Sequence, residues 1–184
     1  MAGECPVAGV CVAFLDRDGT INVKKPEGQY VLAPQEVNLV PGAGRAVREL
    51  NDAGWRVIVV TNQRALAREL MSNGDLARVH ARLDQLLAGF GARVDEYRVC
   101  PHREGTCWCR KPHPGLLKEY MSAHADVDVR KSWMVGDSES DVEAGMRASV
   151  RTLRLAGGAT ATRAERVEPD LSHAVKFMLG VSGS

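Results

Sequence analysis

No apolar stretch in this sequence is long enough to cross a bilayer. The first, Val10 to Leu15, stops at Asp16. The chain shows no secretory signal pattern, so the cytoplasm is the expected location. It also lacks an excess of either charge. Its 24 Lys and Arg against 23 Asp and Glu leave a net charge of +1, so no bulk field draws it to nucleic acid or an anionic membrane. Internal repeats and low-complexity tracts are absent, which sets aside solenoids and disordered linkers. Cysteine is not scarce, but the five residues make an odd count and three of them fall within ten positions. Without an export signal, that clustering points to a metal site and not to a disulfide framework.

With 184 residues, 45% hydrophobic and 26% charged, the chain suits one soluble domain, residues 1–184, with a sizeable core. Apolar runs at Val10 to Leu15, Arg56 to Val60, Val94 to Val99, Ser132 to Val135 and Val150 to Leu155 read as buried strands. Between them, helical spacing predicts helices over Gly42 to Ala53, Asp75 to Phe90, Gly115 to Ala125, a short segment with Val142 and Met146 inward, and Leu171 to Leu179 behind a Ser172 cap. Strands alternating with helices imply an α/β fold, a Rossmann-like parallel sheet covered on both faces. Val23 to Pro41 reads as a flap, and 100–114 as an irregular loop.

Four polar groups interrupt this pattern at predicted strand ends or just before a helix. Asp16 and Asp18 flank Arg17 where the first strand stops, and Gly19 permits the sharp exit that would bring both carboxylates to one site. One could attack phosphorus and the other handle protons. Thr61 ends the second strand, where its hydroxyl could bind a phosphate oxygen or cap the next turn. Arg110 and Lys111 precede the helix at Gly115 and could neutralise a phosphoryl group. Gly136-Asp137 ends the fourth strand, with Asp141 one helical turn on. Asp16 and Asp137, with the Asp18 backbone carbonyl, suit hard, oxygen-seeking Mg²⁺. Cys100, His102, Cys107 and Cys109 offer three thiolates and an imidazole, a closed tetrahedral set for structural Zn²⁺. Cys5 and Cys11 fall outside it.

The order Asp-x-Asp-Gly-Thr, strand-end Thr61, Lys111 and Gly-Asp-x-x-x-Asp resembles the haloacid dehalogenase superfamily of phosphatases across Val10 to about Leu155. The segments Cys100-Pro101-His102 and Cys107-Trp108-Cys109-Arg110-Lys111-Pro112-His113-Pro114-Gly115 are similar to the small, capless, zinc-containing D-glycero-D-manno-heptose 1,7-bisphosphate phosphatases and their histidinol-phosphate relatives. The resemblance implies Asp16 as nucleophile, Asp18 as acid and base, Thr61 and Lys111 as phosphoryl holders, Asp137 as a Mg²⁺ ligand, and a zinc loop that orders Arg110 and Lys111. It implies removal of the 7-phosphate, with histidinol phosphate as the alternative substrate and a non-catalytic zinc module as the remote one. The expected partner is a small phosphorylated sugar, and the expected state is a monomer.

Thr61-Asn62-Gln63 matches that family's pattern, and Asn62 and Gln63 are candidate substrate contacts. Arg64-Ala65 and Ser138 depart from it, as does the short span from His102 to Cys107. Arg64 either binds a distal phosphate or points to solvent. Trp108 either walls the pocket or covers the zinc loop. Lys24 and Lys25 either reach the second phosphate or lie on a solvated flap. His80, His124 and His173 sit on predicted helices and call for no functional role.

Overall fold

The computed structural model describes residues 9–180, so the expectation for Cys5 lies outside the described residues. Six strands, β1 (Val12–Leu15), β2 (Arg56–Asn62), β3 (Glu96–Cys100), β4 (Trp133–Gly136), β5 (Arg151–Leu155) and β6 (Arg166–Glu168), form one sheet in the order β3-β2-β1-β4-β5-β6. Every pairing is parallel. A parallel sheet is covered on both faces, which is why β1 and β4 are buried at every position. Successive side chains go to opposite faces. Ala13, Leu15, Val57, Val59, Trp133 and Val135 join the core that holds buried residues of α1 (Ala43–Asp52), α3 (Asn73–Ala88) and α6 (Leu171–Met178). Val12, Phe14, Ile58, Val60 and Met134 face α4 (Gly115–Ala123) and α5 (Glu139–Arg147). A single turn, α2 (Arg64–Ala67), follows β2.

The sheet changes its winding direction at β1, which has β2 on one side and β4 on the other. Ligands of open α/β sheets bind at the carboxyl edge of such a switch. Asp16 is the first residue after β1 and Asp137 the first after β4, so the two carboxylates flank that crevice. Thr61 lies within β2, which runs two residues further than the predicted strand. β3 extends to Cys100, so the first thiol stands on a strand and not in the loop.

Other boundaries differ from expectation for physical reasons. Asp170, not Ser172, caps α6: its carboxylate accepts from the His173 backbone N–H at 2.9 Å, because fully buried Leu171 already starts the helix. Met146 is 45% exposed, leaving the inward face of α5 to Val142, Ala144 and Gly145. Gly145 is needed there, since a Cβ would meet the Thr152 and Met134 side chains. β6 was not anticipated; it has one apolar residue and lies at the sheet edge. The flap is pinned at its base, where Val23 N–H donates to Asn38 O at 2.8 Å and Val40 N–H to Ile21 O at 3.0 Å. Among the described residues no helix is long and apolar enough to cross a membrane.

Candidate active site

The turn after β1 is built around the Arg17 carbonyl, which accepts the backbone N–H groups of Ile21 and Asn22, both at 3.0 Å. Gly19 adopts φ +99°, and a Cβ there would lie 2.5 Å from an Asp137 carboxylate oxygen. The glycine therefore serves both the turn and the approach of the two acidic loops. Asp16, Asp137 and Asp141 each present an oxygen, all within 4.8 Å of one another. An all-carboxylate, oxygen-only set fits a hard divalent cation.

Lys111 ties this centre together. Its side chain is 2% exposed, and Nζ lies 2.6 Å from Asp16 Oδ1, from Asp141 Oδ1 and from the Val60 carbonyl oxygen. Burial works against its charge, but the two carboxylates outweigh that and raise its pKa, so it remains an ammonium. Burial also raises the pKa of Asp16, Lys111 opposes the rise, and the negative charge of Asp141 adds to it. An ammonium 2.6 Å from Asp16 Oδ1 attracts a carboxylate far more strongly than a neutral carboxyl group, which favours the ionised pair. Two carboxylates on one ammonium leave a net negative charge that a divalent cation would balance. Asp141 also accepts from the Ser138 backbone N–H at 3.1 Å and hydroxyl at 2.6 Å, capping α5 while it holds Lys111. The sequence placed Asp141 on this side of the helix without giving it the lysine.

The Asp18 side chain turns away from that trio. Its carboxylate accepts from Arg17 Nε at 3.1 Å, Arg17 Nη2 at 2.8 Å, Asn22 Nδ2 at 2.9 Å and Gln63 Nε2 at 3.1 Å. Burial alone would raise its pKa; the Arg17 guanidinium and the two amides overcome this and hold it below the usual carboxylate range.

Asp16, Asp18, Lys24, Thr61, Asn62, Arg110, Lys111 and Asp137 line one pocket with Ser138, Ser140 and Asp141. Arg110 Nη1 is buried and has no hydrogen-bond partner among the described residues. Lys24 reaches Asp137 Oδ2 at 2.8 Å, whereas Lys25 pairs with Glu36 at 3.1 Å on the flap. The Asn62 side chain clamps Lys111, accepting from its N–H and donating to its carbonyl oxygen, both at 3.0 Å. Gln63 is buried, and its amide donates to Thr61 Oγ1 at 2.8 Å as well as to Asp18. It therefore supports two neighbours, and it lines the adjoining pocket with Asp18, Lys24 and Asn62. Arg64 leaves the pocket altogether and lines a separate groove with Arg68 and Arg103. Trp108 is 61% exposed, is absent from the pocket wall and tilts against His113 at 5.5 Å, on the outside of the cysteine loop.

The cysteine loop forms a second centre. Cys100 Sγ lies 3.8 Å from His102 Nδ1 and 3.6 Å from Cys107 Sγ; Cys109 Sγ lies 3.2 Å from His102 Nδ1 and 3.4 Å from Cys107 Sγ. These four atoms form a compact candidate metal site. Cys11 stands apart, free and half-buried beside β1.

Comparison with known proteins agrees with this layout. A HAD-hydrolase-like family model matches residues 108–176. The D-glycero-alpha-D-manno-heptose-1,7-bisphosphate 7-phosphatase of Mycobacterium tuberculosis is 42% identical over 131 residues, covering 71% of this chain and 68% of that protein. The beta-anomer 7-phosphatase of Rhodopseudomonas palustris is 39% identical over 153 residues, covering 79% and 83%. The chain belongs to the heptose 1,7-bisphosphate phosphatase family. Within that family, the D,D-heptose 1,7-bisphosphate phosphatase of B. bronchiseptica, crystallised with magnesium and phosphate, superposes with a TM-score of 0.84 at 31% identity, covering 93% of this chain and 99% of that one.

Proposed function

We propose that the chain is a Mg²⁺-dependent phosphatase that removes the 7-phosphate of D-glycero-D-manno-heptose 1,7-bisphosphate through an aspartyl-phosphate on Asp16. The carrying observation is the convergence of Asp16, Lys111, Asp137 and Asp141 at the switch of a sheet whose family is now known. Lys111 holds Asp16 Oδ1, which leaves Oδ2 to attack. The new bond joins that oxygen to phosphorus as the bond from phosphorus to the C7 oxygen breaks; Asp18, ionised in the free site, first takes the proton of the substrate's phosphate monoanion and passes it to that leaving oxygen. Water then attacks the phosphorus, gives its proton to Asp18 and frees phosphate and Asp16. Asp16 and Asp137, with the Asp18 carbonyl and beside Asp141, would hold Mg²⁺, which would neutralise charge on the phosphoryl oxygens. Thr61 and Lys111 hold those oxygens, and Arg110 offers its unpartnered Nη1 to the sugar phosphate. Lys24 lies on the same wall, and Arg64 serves only a substrate long enough to reach its groove.

The cysteine site is read as structural Zn²⁺. Tetrahedral zinc with Zn–S near 2.3 Å implies donor separations of about 3.8 Å. The separations found, 3.2–3.8 Å, fit that set and are too long for a disulfide. A reduced thiolate site accords with a cytoplasmic location.

The test is phosphate release with Mg²⁺ from both anomers of heptose 1,7-bisphosphate, fructose 1,6-bisphosphate and histidinol phosphate. The heptose bisphosphate should give the highest kcat/KM. Asp16→Asn should lower it by roughly a thousandfold or more with the fold intact. A preference for histidinol phosphate would replace the substrate, and an active Asp16→Asn enzyme would overturn the mechanism.

A further inference from the structure

His80, on α3, belongs to neither metal centre, yet it reaches the catalytic turn. Its Nε2 lies 3.3 Å from Arg17 Nη1. A guanidinium has only donors, so Nε2 must accept and the ring proton must sit on Nδ1. Burial and the positive charge of Arg17 depress the His80 pKa to about 4, which keeps the ring neutral and able to accept. The other edge of the Arg17 fork, Nε and Nη2, is spent on Asp18. The imidazole is itself fixed: it stacks on Tyr97 of β3, with centroids 4.1 Å apart and planes at 12°, and the Tyr97 hydroxyl donates to Asp84 Oδ1 at 2.6 Å. Arg17 is 1% exposed, so no water surrounds the fork to compete for these bonds.

We infer that His80 is a positioning residue for the acid–base step: through Arg17 it fixes the plane of the Asp18 carboxyl group. The inference rests on the phosphatase reading and adds a part to it. An arginine side chain has several rotatable bonds, and a carboxylate gripped by an unanchored fork would sample several orientations. Proton transfer to a leaving oxygen needs one of them. Anchoring Nη1 from α3 leaves the fork a single arrangement, held from the two core elements that pack beside it.

The experiment separates positioning from general support by varying the leaving group. A sugar alkoxide needs the proton from Asp18; p-nitrophenolate leaves without one. Wild type, His80→Leu and His80→Gln are assayed for kcat/KM with Mg²⁺ on a sugar phosphate and on p-nitrophenyl phosphate, a quantity that reports events through phosphoryl transfer to Asp16. His80→Leu should lose about tenfold on the sugar phosphate and less than about twofold on the phenyl ester. His80→Gln, which keeps a neutral acceptor near Nε2, should recover most of the loss. Equal losses on both substrates, or no loss on either, would overturn the inference and leave the phosphatase reading standing. If His80→Leu does not fold, Tyr97→Leu, which removes the ring stacked on the imidazole, carries the comparison: a larger loss on the sugar phosphate than on the phenyl ester supports positioning, and equal or absent losses refute it. A wild-type enzyme inactive on every sugar phosphate would overturn both readings.

Discussion

Replacing Lys111 by Met removes the one cation buried between Asp16 and Asp141. Methionine fills much of the same volume, so the change is mainly electrostatic. Three contacts at 2.6 Å vanish: two ionic, and one charge-assisted bond to the Val60 carbonyl. Breaking a buried ion pair from one side costs about 3–5 kcal/mol, because the remaining charge stays desolvated. Asp141 keeps its Ser138 bonds, so the burden falls on Asp16, which can escape by taking a proton. That escape is easier at low pH. The net expectation is a loss of about 3 kcal/mol at pH 7.5, or roughly 6–12 °C in Tm for a chain of this size, narrowing toward pH 5. The assay is thermal unfolding without added metal at both values, repeated with millimolar Mg²⁺. The cation should restore more stability to the variant than to wild type, because it balances the freed carboxylates. Phosphatase activity should fall about a hundredfold or more even when Mg²⁺ restores stability, since the phosphoryl group loses a fixed cation. A variant that melts within a degree of wild type at both pH values, with no extra response to Mg²⁺, would refute the buried-trio reasoning.

Three further outcomes are expected. Cys107→Ser should lower bound zinc and Tm, and weaken KM more than it alters the chemical step, because the loop that presents Arg110 loses its tether; full activity without zinc would contradict this. Gly19→Ala should cost about 1–3 kcal/mol from the left-handed φ, and a Mg²⁺ titration of activity should shift to higher concentration as the new Cβ displaces Asp137. His80 binds protons more weakly folded, at about 4, than unfolded, at about 6.5. Stability is therefore fully present above pH 6.5 and declines as pH falls toward 4, by up to about 2 kcal/mol at pH 5. Urea unfolding at pH 7 and pH 5 should show that decline in wild type and less of it in His80→Gln.

What the sequence made legible was local. Apolar runs ending in Asp16 and Gly136-Asp137 gave both strands and their polar ends, because a parallel strand is a short buried segment whose edge must turn polar to leave the sheet. Cys100, His102, Cys107 and Cys109 were legible because all four donors fall within ten residues. What escaped depends on distance along the chain. The bond between His80 and Arg17 spans 63 positions, and no periodicity on α3 distinguishes that histidine from a merely buried one. The sequence points Lys111 at the phosphate, but its grip on Asp141 appears only when the loop after β3 folds over α5. β6 was invisible because Arg-Val-Glu has too little apolar character to stand out; it is recruited by pairing with β5.

The flap is closed at its base, where Val23 pairs with Asn38, and Val40 ties it to Ile21 in the turn after β1. Joined at the base it forms a stirrup, and the length of chain between the fastenings bounds how far it can reach over the pocket. An enzyme roofed by a separate body must part and close around each substrate. Here part of the pocket's rim, Lys24, belongs to a flap tied to the same turn that carries Asp16 and Asp18. Substitutions in that rim, at Lys24 or Arg110, are expected to change which sugar phosphates are accepted more than the attack by Asp16.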